Sequence, residues 1–314
     1  MARYRNRLPQ QDGALFLTDG GMETTLIFHQ GIDLPYFAAF DLLREAGGPA
    51  TLKKYYETYL DIAKTGAVGF VLESATWRAS RDWGDKLGYS TAGLAKANRE
   101  AIELLAELRD AYEADGAPIV ISGCIGPRGD GYDPDALVTP DEAQAYHAEQ
   151  IRTFAETEAD LVSALTMTHA DEAIGITRAA VAAGIPVVIS FTVETDGNLP
   201  AGQSLRDAIA AVDGATDGAP AYYMINCAHP THIEDAVAGG EPWLDRIGGL
   251  RANSSAKSHA ELDEAEELDD GNPQELARQY GQLRRYLRKA NVLGGCCGTD
   301  HRHVEAICSV SLAA

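Results

Sequence analysis

Three cysteines have the residue type and the spacing of a metal site. Cys296 and Cys297 are adjacent in the segment GGCCGT, which an apolar run precedes and a histidine-rich stretch follows. Cys227 follows another apolar run, in the segment INCAHP. Thiolates are common zinc ligands, and a site with three of them keeps its fourth tetrahedral position open for a substrate. These cysteines are therefore candidate zinc ligands.

The neighbouring histidines and the two remaining cysteines are weaker candidates. His301 and His303 are placed close enough to ligate a metal, but residues two apart do not share one face of a helix. Cys124 ends an apolar run without a cysteine near it, and Cys308 falls in the terminal helical segment. A single cysteine of this kind is usually a small buried side chain, so we expect both to be structural.

Eight apolar runs alternate with segments of helical spacing, the pattern of an α/β fold with parallel strands. Eight such units without a linker favour a single (β/α)8 TIM barrel over residues 1–314 rather than an open doubly wound sheet. Neither GxGxxG nor GxxxxGK[ST] occurs, which excludes the usual dinucleotide and P-loop sites. The predicted strands are residues 14–19, 67–74, 118–123, 160–165, 186–193, 221–227, 247–254 and 291–296, and helices are predicted over 51–66, 97–116, 139–158 and 272–291.

The barrel prediction brings the cysteines together, because chemistry in this fold sits at the carboxyl ends of the strands. Cys227 ends the sixth predicted strand, and Cys296 and Cys297 end the eighth. Successive residues of a strand point to opposite faces, so the adjacent pair can share one metal only where the chain leaves strand geometry. The glycines that permit this departure are Gly294, Gly295 and Gly298.

The segment TDGGMETTL follows the first predicted strand and has two interpretations. Glycine and aspartate are common in tight turns, so the segment fits a simple strand-to-helix connection. Alternatively, the backbone N–H groups of Gly20 and Gly21 hold a substrate carboxylate, while Asp19 or Glu23 accepts a hydrogen bond from an ammonium group.

Charge and composition exclude several classes of partner. The formal net charge of −21 repels nucleic acid and anionic membrane surfaces, so neither is expected to bind. Five cysteines in 314 residues argue against a disulfide scaffold and for a reducing compartment. No signal peptide is recognisable, and we expect a soluble, cytoplasmic protein of unknown oligomeric state. The acidic run 261–270 is expected to be a solvated surface.

Four segments in the same order resemble the homocysteine S-methyltransferase family along nearly the whole chain: LTDGGMETTL, GCIGPRGDGY, INCAHP and GGCCGTDHRHVEAI. The resemblance implies a zinc-dependent (β/α)8 enzyme of class EC 2.1.1 that acts in methionine biosynthesis. It implies that the zinc-bound thiolate of homocysteine, rather than a protein side chain, attacks the methyl donor. The implied zinc ligands are Cys227, Cys296 and Cys297, and the implied acceptor-site residues are Asp19, Gly20, Gly21, Asn226 and Asn253. Glu23, from the same segment as Asp19, remains an acceptor-site candidate on its residue type.

The methyl donor is expected to be an onium compound. The compact chain favours S-methylmethionine or S-adenosylmethionine, and a betaine-type donor is the alternative. Trp77 is a candidate for a cation–π contact with the donor, although a rim-packing tryptophan is the simpler interpretation. Glu73 and Glu194 are further donor-binding candidates.

One position departs from the family pattern. In the family, the fourth strand commonly ends in an acidic residue before a threonine, and its carboxylate helps to hold the amino group of the acceptor; this chain has Leu165 before Thr166. Glu73 or Glu194 is then a candidate replacement, or the acceptor is a different thiol or selenol. Two alternatives of another class remain: a non-catalytic barrel that binds zinc or a thiol, and an aldolase- or hydrolase-type barrel that uses Glu23 and His169.

Overall fold

Eight parallel strands close into a barrel in chain order, so the predicted fold is confirmed. The computed structural model describes residues 1–113, 116–132, 137–265 and 267–313. Each predicted strand overlaps an observed one, although the third and the fourth extend two residues past their predicted ends, to Ile125 and Met167. The strands are β1 (Phe16–Leu17), β2 (Gly69–Glu73), β3 (Ile119–Ile125), β4 (Leu161–Met167), β5 (Val187–Phe191), β6 (Tyr223–Asn226), β7 (Ile247–Ala252) and β8 (Val292–Gly295).

Helices follow the strands and pack around the barrel. The four predicted helices correspond to α2, α4, α5 and α10, and part of the prediction over 97–116 lies outside the described residues. The helices are α1 (Met22–Thr24), α2 (Gly48–Gly66), α3 (Arg81–Lys86), α4 (Thr91–Tyr112), α5 (Pro140–Ala155), α6 (Ala170–Ala183), α7 (Leu205–Thr216), α8 (Pro230–Val237), α9 (His259–Asp263), α10 (Pro273–Leu283) and α11 (His301–Ala313).

Local sequence explains where α5 begins and shows why α10 is shorter than predicted. Thr139 and Glu142 form a capping box at the start of α5, with Pro140 in the first turn. By contrast, α10 ends at Leu283, eight residues before the predicted end at 291. The fully buried Leu287 and a hydrogen bond of 3.2 Å from Arg284 Nε to the Ala290 carbonyl turn the chain back toward β8.

The interior of the barrel is apolar at its amino-terminal end and polar at its carboxyl end. The polar layer is formed by side chains from consecutive strands: Glu73, Ser122, Ser163, Ser190, Asn226 and Arg251, all buried. The apolar layer consists of Leu8, Phe16, Val71, Val120, Leu161, Val188, Tyr222, Met224 and Val292. Among the described residues, no helix combines the length and the apolar composition needed to cross a bilayer.

Candidate metal and substrate site

A cavity of about 320 Å³ opens at the carboxyl ends of the strands, where the fold predicts a site. Its volume suits a small-molecule ligand. Residues from the strand ends and from the loops that follow them form the wall. They include Asp19, Gly20, Gly21, Glu23, Phe28, Phe37, Glu73, Trp77, Arg78, Tyr132, Leu165, Asn226, Cys227, Arg251, Cys296 and Cys297.

The three predicted cysteines converge on one side of this cavity. Their Sγ atoms all lie within 4.8 Å of one another, and they are the only such cluster among the described residues. Cys227 and Cys296 are joined by a disulfide, and Cys297 Sγ lies 3.8 Å from Cys227 Sγ. All three cysteines line the cavity; Cys297 is exposed, Cys296 is partly buried and Cys227 is buried. The convergence predicted from the strand order is present.

The backbone leaves strand geometry at both ends of the cluster. Strand β8 ends at Gly295, and Cys296 and Cys297 lie in the turn that follows, as the adjacency of two ligands requires. Gly298 in that turn has a φ of +79°, and Cys227 itself has a φ of +54°. A left-handed cysteine is strained, and strain of this kind is typical of functional sites. Gly294 and Gly295 are required for a different reason, which is that neither position has room for a side chain. A Cβ on Gly294 would collide with Thr18, and a Cβ on Gly295 would collide with Thr299.

Asn226 connects the cysteine cluster to β4. Its Oδ1 accepts hydrogen bonds from the Thr166 amide (2.9 Å) and from Ser190 Oγ (2.6 Å), while its Nδ2 donates to Thr166 Oγ1 (2.8 Å) and approaches Cys296 Sγ at 3.8 Å. Thr166 has a φ of +65°, which is rare for a β-branched residue, and the pairing of β4 with β5 shifts register there. Asn226 therefore holds a strained strand end beside the sulfur atoms.

Tyr132 reaches the cluster from the loop between β3 and α5, and sequence reasoning missed it. Its hydroxyl shares a hydrogen bond of 3.2 Å with Cys297 Sγ, and its ring stacks on His259 with centroids 4.2 Å apart. His259 bonds the Cys227 carbonyl through Nε2 (2.7 Å) and Glu194 Oε1 through Nδ1 (2.9 Å). Glu194 was predicted to bind the methyl donor. It is hydrogen-bonded to His259 and is not part of the cavity wall.

Asp19 lies in the cavity wall as predicted, but its carboxylate already has two protein partners. Arg251 Nη2 donates to Oδ1 at 2.6 Å, and the Tyr55 hydroxyl donates to Oδ2 at 2.9 Å. Burial lowers the pKa of the Arg251 guanidinium, whereas the nearby carboxylates of Asp19 and Glu73 raise it. The effect of the carboxylates is larger, so the pKa lies above its ordinary value. Arg251 was not predicted, although a charged residue within an apolar strand segment was a visible signal.

The two glycines after Asp19 permit close packing of β1 against the end of β8. A Cβ on Gly20 would lie 2.8 Å from Tyr59 Oη, and one on Gly21 would lie 2.7 Å from the Cys296 carbonyl oxygen. The Gly21 amide donates to the Thr299 carbonyl at 3.0 Å. The turn interpretation of these residues therefore has structural support, and the Gly21 amide already has an acceptor.

Two more carboxyl groups, those of Glu23 and Glu73, belong to the cavity wall. Burial raises the pKa of each to about 7. In all, the wall contains six acidic residues (Asp19, Glu23, Glu73, Asp130, Glu267 and Asp269) and two arginines (Arg78 and Arg251). This excess of acidic groups favours a ligand that carries positive charge.

The environment of Trp77 favours a packing role over a cation–π contact with a ligand. The Arg78 guanidinium carbon lies 4.1 Å from the centroid of the Trp77 ring and 3.7 Å from that of Trp83, so this cation already covers one Trp77 face. Trp77 Nε1 donates to the Leu165 carbonyl at 3.2 Å. The aromatic side chains exposed at the mouth are instead Phe28 and Phe37, 48% and 54% exposed, which sequence reasoning did not single out.

The three candidate histidines lie away from the cysteine cluster. His303 is buried between Asp300 and the Asp270 carbonyl, and His301 is exposed at the start of α11. His169 precedes α6 and lies outside the cavity wall, so it does not converge with Glu23. Three further predicted residues are buried: Cys124, Cys308 and Asn253. Cys124 lines the cavity, and Asn253 lies beside the cluster, where its amide donates to the Ala228 carbonyl at 3.1 Å, while its Oδ1 lacks a hydrogen-bond partner among the described residues.

The closed eight-stranded barrel, with a cluster of three cysteines at the carboxyl ends of its strands, is the architecture of an enzyme with a potential metal-binding site. A sequence profile of the homocysteine S-methyltransferase family matches residues 16–311. The chain therefore belongs to this family and is an enzyme of the EC 2.1.1 class.

Solved structures agree with the fold. The homocysteine methyltransferase MmuM from Escherichia coli in its metallated form is 20% identical, with a TM-score of 0.73 and coverage of 95% of this chain and 96% of that chain. Its oxidised form is 21% identical, with a TM-score of 0.75 and coverage of 98% and 99%. Among curated protein sequences, none matches the chain.

Proposed function

We propose that the protein is a zinc-dependent S-methyltransferase that moves a methyl group from an onium donor to the thiol of homocysteine and so forms methionine. S-Methylmethionine and S-adenosylmethionine are the favoured donors. The observation that carries the proposal is the convergence of Cys227, Cys296 and Cys297 on one wall of the cavity in a chain of this family.

The cysteine cluster fits a zinc ion. Sulfur ligands of a tetrahedral zinc lie about 3.8 Å apart when each Zn–S bond is about 2.3 Å. The distance between Cys227 Sγ and Cys297 Sγ is 3.8 Å. Reduction of the disulfide frees Cys227 and Cys296 to bind zinc together with Cys297. Three protein thiolates then leave the fourth position of a tetrahedral zinc for a substrate thiol. Zinc bound there supplies one chemical effect, which is to keep that thiol deprotonated and nucleophilic.

The protein's own groups orient the thiolates and fix their hydrogen bonds. Tyr132 and Asn226 approach Cys297 and Cys296 at 3.2 and 3.8 Å, respectively. Partners of this kind set the direction and basicity of metal ligands. Both groups come from strand ends or loops at the same rim, so the cluster is held from two sides.

The cavity also suits an onium donor. Its acidic side chains attract a cation, and Phe28 and Phe37 at the mouth present ring surfaces for an onium methyl group. Methyl transfer from a cation to an anionic thiolate removes charge on both sides, so a site that excludes water favours the reaction. We assign the onium contact to these two phenylalanines because Arg78 covers Trp77.

The test is a metal and turnover assay on purified, reduced protein. We expect about one zinc per chain and methionine formation, detected by mass spectrometry, from homocysteine with S-methylmethionine or S-adenosylmethionine. Turnover with betaine alone would change the donor assignment, and turnover only with another thiol or a selenol would change the acceptor. Zinc binding without turnover of any pair would contradict the proposed function and favour the non-catalytic barrel.

A further inference from the structure

Glu73 is an acidic residue in the cavity wall whose carboxylate has no hydrogen-bond partner among the described residues. It ends β2, is 4% exposed and lines the cavity, and both of its carboxylate oxygens are buried. Neither Oε1 nor Oε2 accepts a hydrogen bond from any of the residues that the structure describes. A buried carboxylate without a hydrogen bond is expensive, so its presence points to a group that arrives with the ligand.

Arg251 attracts Glu73 electrostatically, but its hydrogen bonds go elsewhere, and its Nη1 has no hydrogen-bond partner among the described residues. Arg251 donates through Nε to the Gly295 carbonyl at 3.1 Å and through Nη2 to Asp19 at 2.6 Å. Ser122 and Ser163 lie on the two strands beyond Glu73, and their hydroxyls share a hydrogen bond of 2.8 Å. The two serine hydroxyls therefore bond to each other, and both Arg251 Nη1 and the Glu73 carboxylate stay without a hydrogen bond among the described residues.

We propose that Glu73 binds the ammonium group of an α-amino-acid thiol and thereby selects such a thiol as the acceptor. The identity of the acceptor rests on the proposed function. The proposal makes Glu73 a specificity-determining residue and gives it a role at the acceptor instead of the donor.

Chemistry distinguishes an ammonium group from the other cation that the cavity is proposed to take. An ammonium offers three N–H donors and satisfies both carboxylate oxygens. The onium centre of a methyl donor offers no N–H or O–H donor, so it leaves both oxygens without hydrogen bonds. Glu73 therefore matches the amino end of a substrate better than its methyl-bearing end.

Barrel geometry assigns this amino end to the acceptor. Strand β2 lies four strands from β6 in a closed barrel of eight, so Glu73 stands on the wall opposite Cys227. A short amino-acid thiol with its sulfur at the cysteine cluster extends across the cavity toward Glu73. Leu165, where the family pattern places an acid, presents an apolar side chain to the same cavity and leaves the ammonium without a partner on β4.

The kinetic test varies the amino group alone. The acceptors are homocysteine and 4-mercaptobutyrate, which lacks the amino group, and the donor is dimethylsulfonioacetate, which also lacks one. In E73Q we expect kcat/KM for homocysteine to fall at least about tenfold, the effect of one lost charged hydrogen bond, while kcat/KM for 4-mercaptobutyrate stays within about twofold. Equal losses with both acceptors would overturn the proposal.

Two controls locate the effect. E23Q neutralises another carboxyl group of the cavity wall. A selective fall in kcat/KM for homocysteine in E23Q but not in E73Q would overturn the proposal. With 4-mercaptobutyrate as acceptor and S-methylmethionine as donor, only the donor carries an ammonium. A loss in E73Q confined to this pair would assign Glu73 to the donor and overturn its role at the acceptor.

A binding measurement separates this inference from the proposed function. Calorimetry on the purified protein compares methionine with 4-(methylthio)butanoate, its analogue without the amino group. We expect wild type to bind methionine at least about tenfold more tightly than E73Q, and both proteins to bind the analogue equally. Absence of this difference overturns the role of Glu73. Selective methionine binding in a protein without turnover contradicts only the proposed function.

Discussion

The two ends of the barrel solve different physical problems. At the amino-terminal end, the apolar layer fills the interior, and the buried Asp160 is fully engaged: it accepts from Arg109 Nη1 (2.9 Å), the Ile121 amide (2.9 Å) and the Tyr4 amide (2.7 Å). At the carboxyl end, Glu73 has no hydrogen-bond partner among the described residues, and Thr166 and Cys227 have positive φ angles.

This difference shows where the sequence builds stability and where it leaves binding capacity. The amino-terminal end resembles an ordinary core with a satisfied ion pair. The carboxyl end keeps strained backbone and an unpaired carboxylate, which a structure retains when a ligand or metal uses them. Changes at the two ends should therefore alter different measured quantities.

The largest effect is expected from removal of a cysteine of the cluster. C297A deletes one of three sulfur ligands, so we expect zinc content to fall below about one tenth of the wild-type value. Loss of a group that merely supports a ligand costs about 10- to 100-fold, so kcat/KM should fall at least about 1,000-fold here. Metal analysis and the methionine assay measure both quantities.

C308A is the matched control for this variant. Cys308 is buried in α11, outside the cavity wall, so C308A should keep its zinc and its kcat/KM. Full zinc content in C297A would show that Cys297 is not a ligand. Zinc loss in both variants would indicate a general defect of folding.

At the amino-terminal end, D160A should reduce stability without changing substrate binding. The substitution leaves the fully buried Arg109 without its buried partner, which costs about 3–5 kcal/mol in the free energy of unfolding. Urea denaturation measures this change, and KM for homocysteine in the folded fraction should stay at the wild-type value.

E158Q removes the other acidic partner of Arg109 and is the control. Glu158 is 44% exposed, so its ion pair should contribute no more than about 1 kcal/mol. Equal losses of stability in D160A and E158Q, or a changed KM in D160A, would contradict the proposed separation between the two ends.

The sequence predicted the strands and the cysteine cluster because both depend on local pattern plus strand order. Apolar runs locate the strands, and strand order in a closed barrel places Cys227 near Cys296 and Cys297. The end of α10 was wrong because helical spacing continues in the sequence, whereas burial of Leu287 turns the chain.

The partners of the cluster were harder to predict because they depend on tertiary distances. Tyr132 comes from a loop more than 160 positions away from Cys297, and no local pattern announces that contact. Likewise, Trp77 was correctly placed at the rim, but the stacking of Arg78 between two tryptophans requires Trp83 from the next helix.

The smallest effect concerns pH and again distinguishes the two ends. Burial raises the pKa of Glu73 from 4.5 to about 7 in the folded protein. The folded state then binds more protons than the unfolded state between these values, so this group lowers the stability of the ligand-free protein as pH rises from 5 to 7. The expected loss from Glu73 over this range is about 2 kcal/mol.

E73Q should remove this contribution, so the variant should gain stability relative to wild type as pH rises, and urea denaturation at pH 5, 6 and 7 measures the difference. Asp300 does not interfere, because hydrogen bonds from His303 and Arg302 outweigh burial and hold its pKa below the ordinary value, so it stays ionised throughout. Parallel stability curves for E73Q and wild type would show that the Glu73 carboxylate already has a partner. Divergent curves that become parallel when methionine is added would show that the ligand supplies the missing partner at the carboxyl end, as Arg109 does for Asp160 at the other.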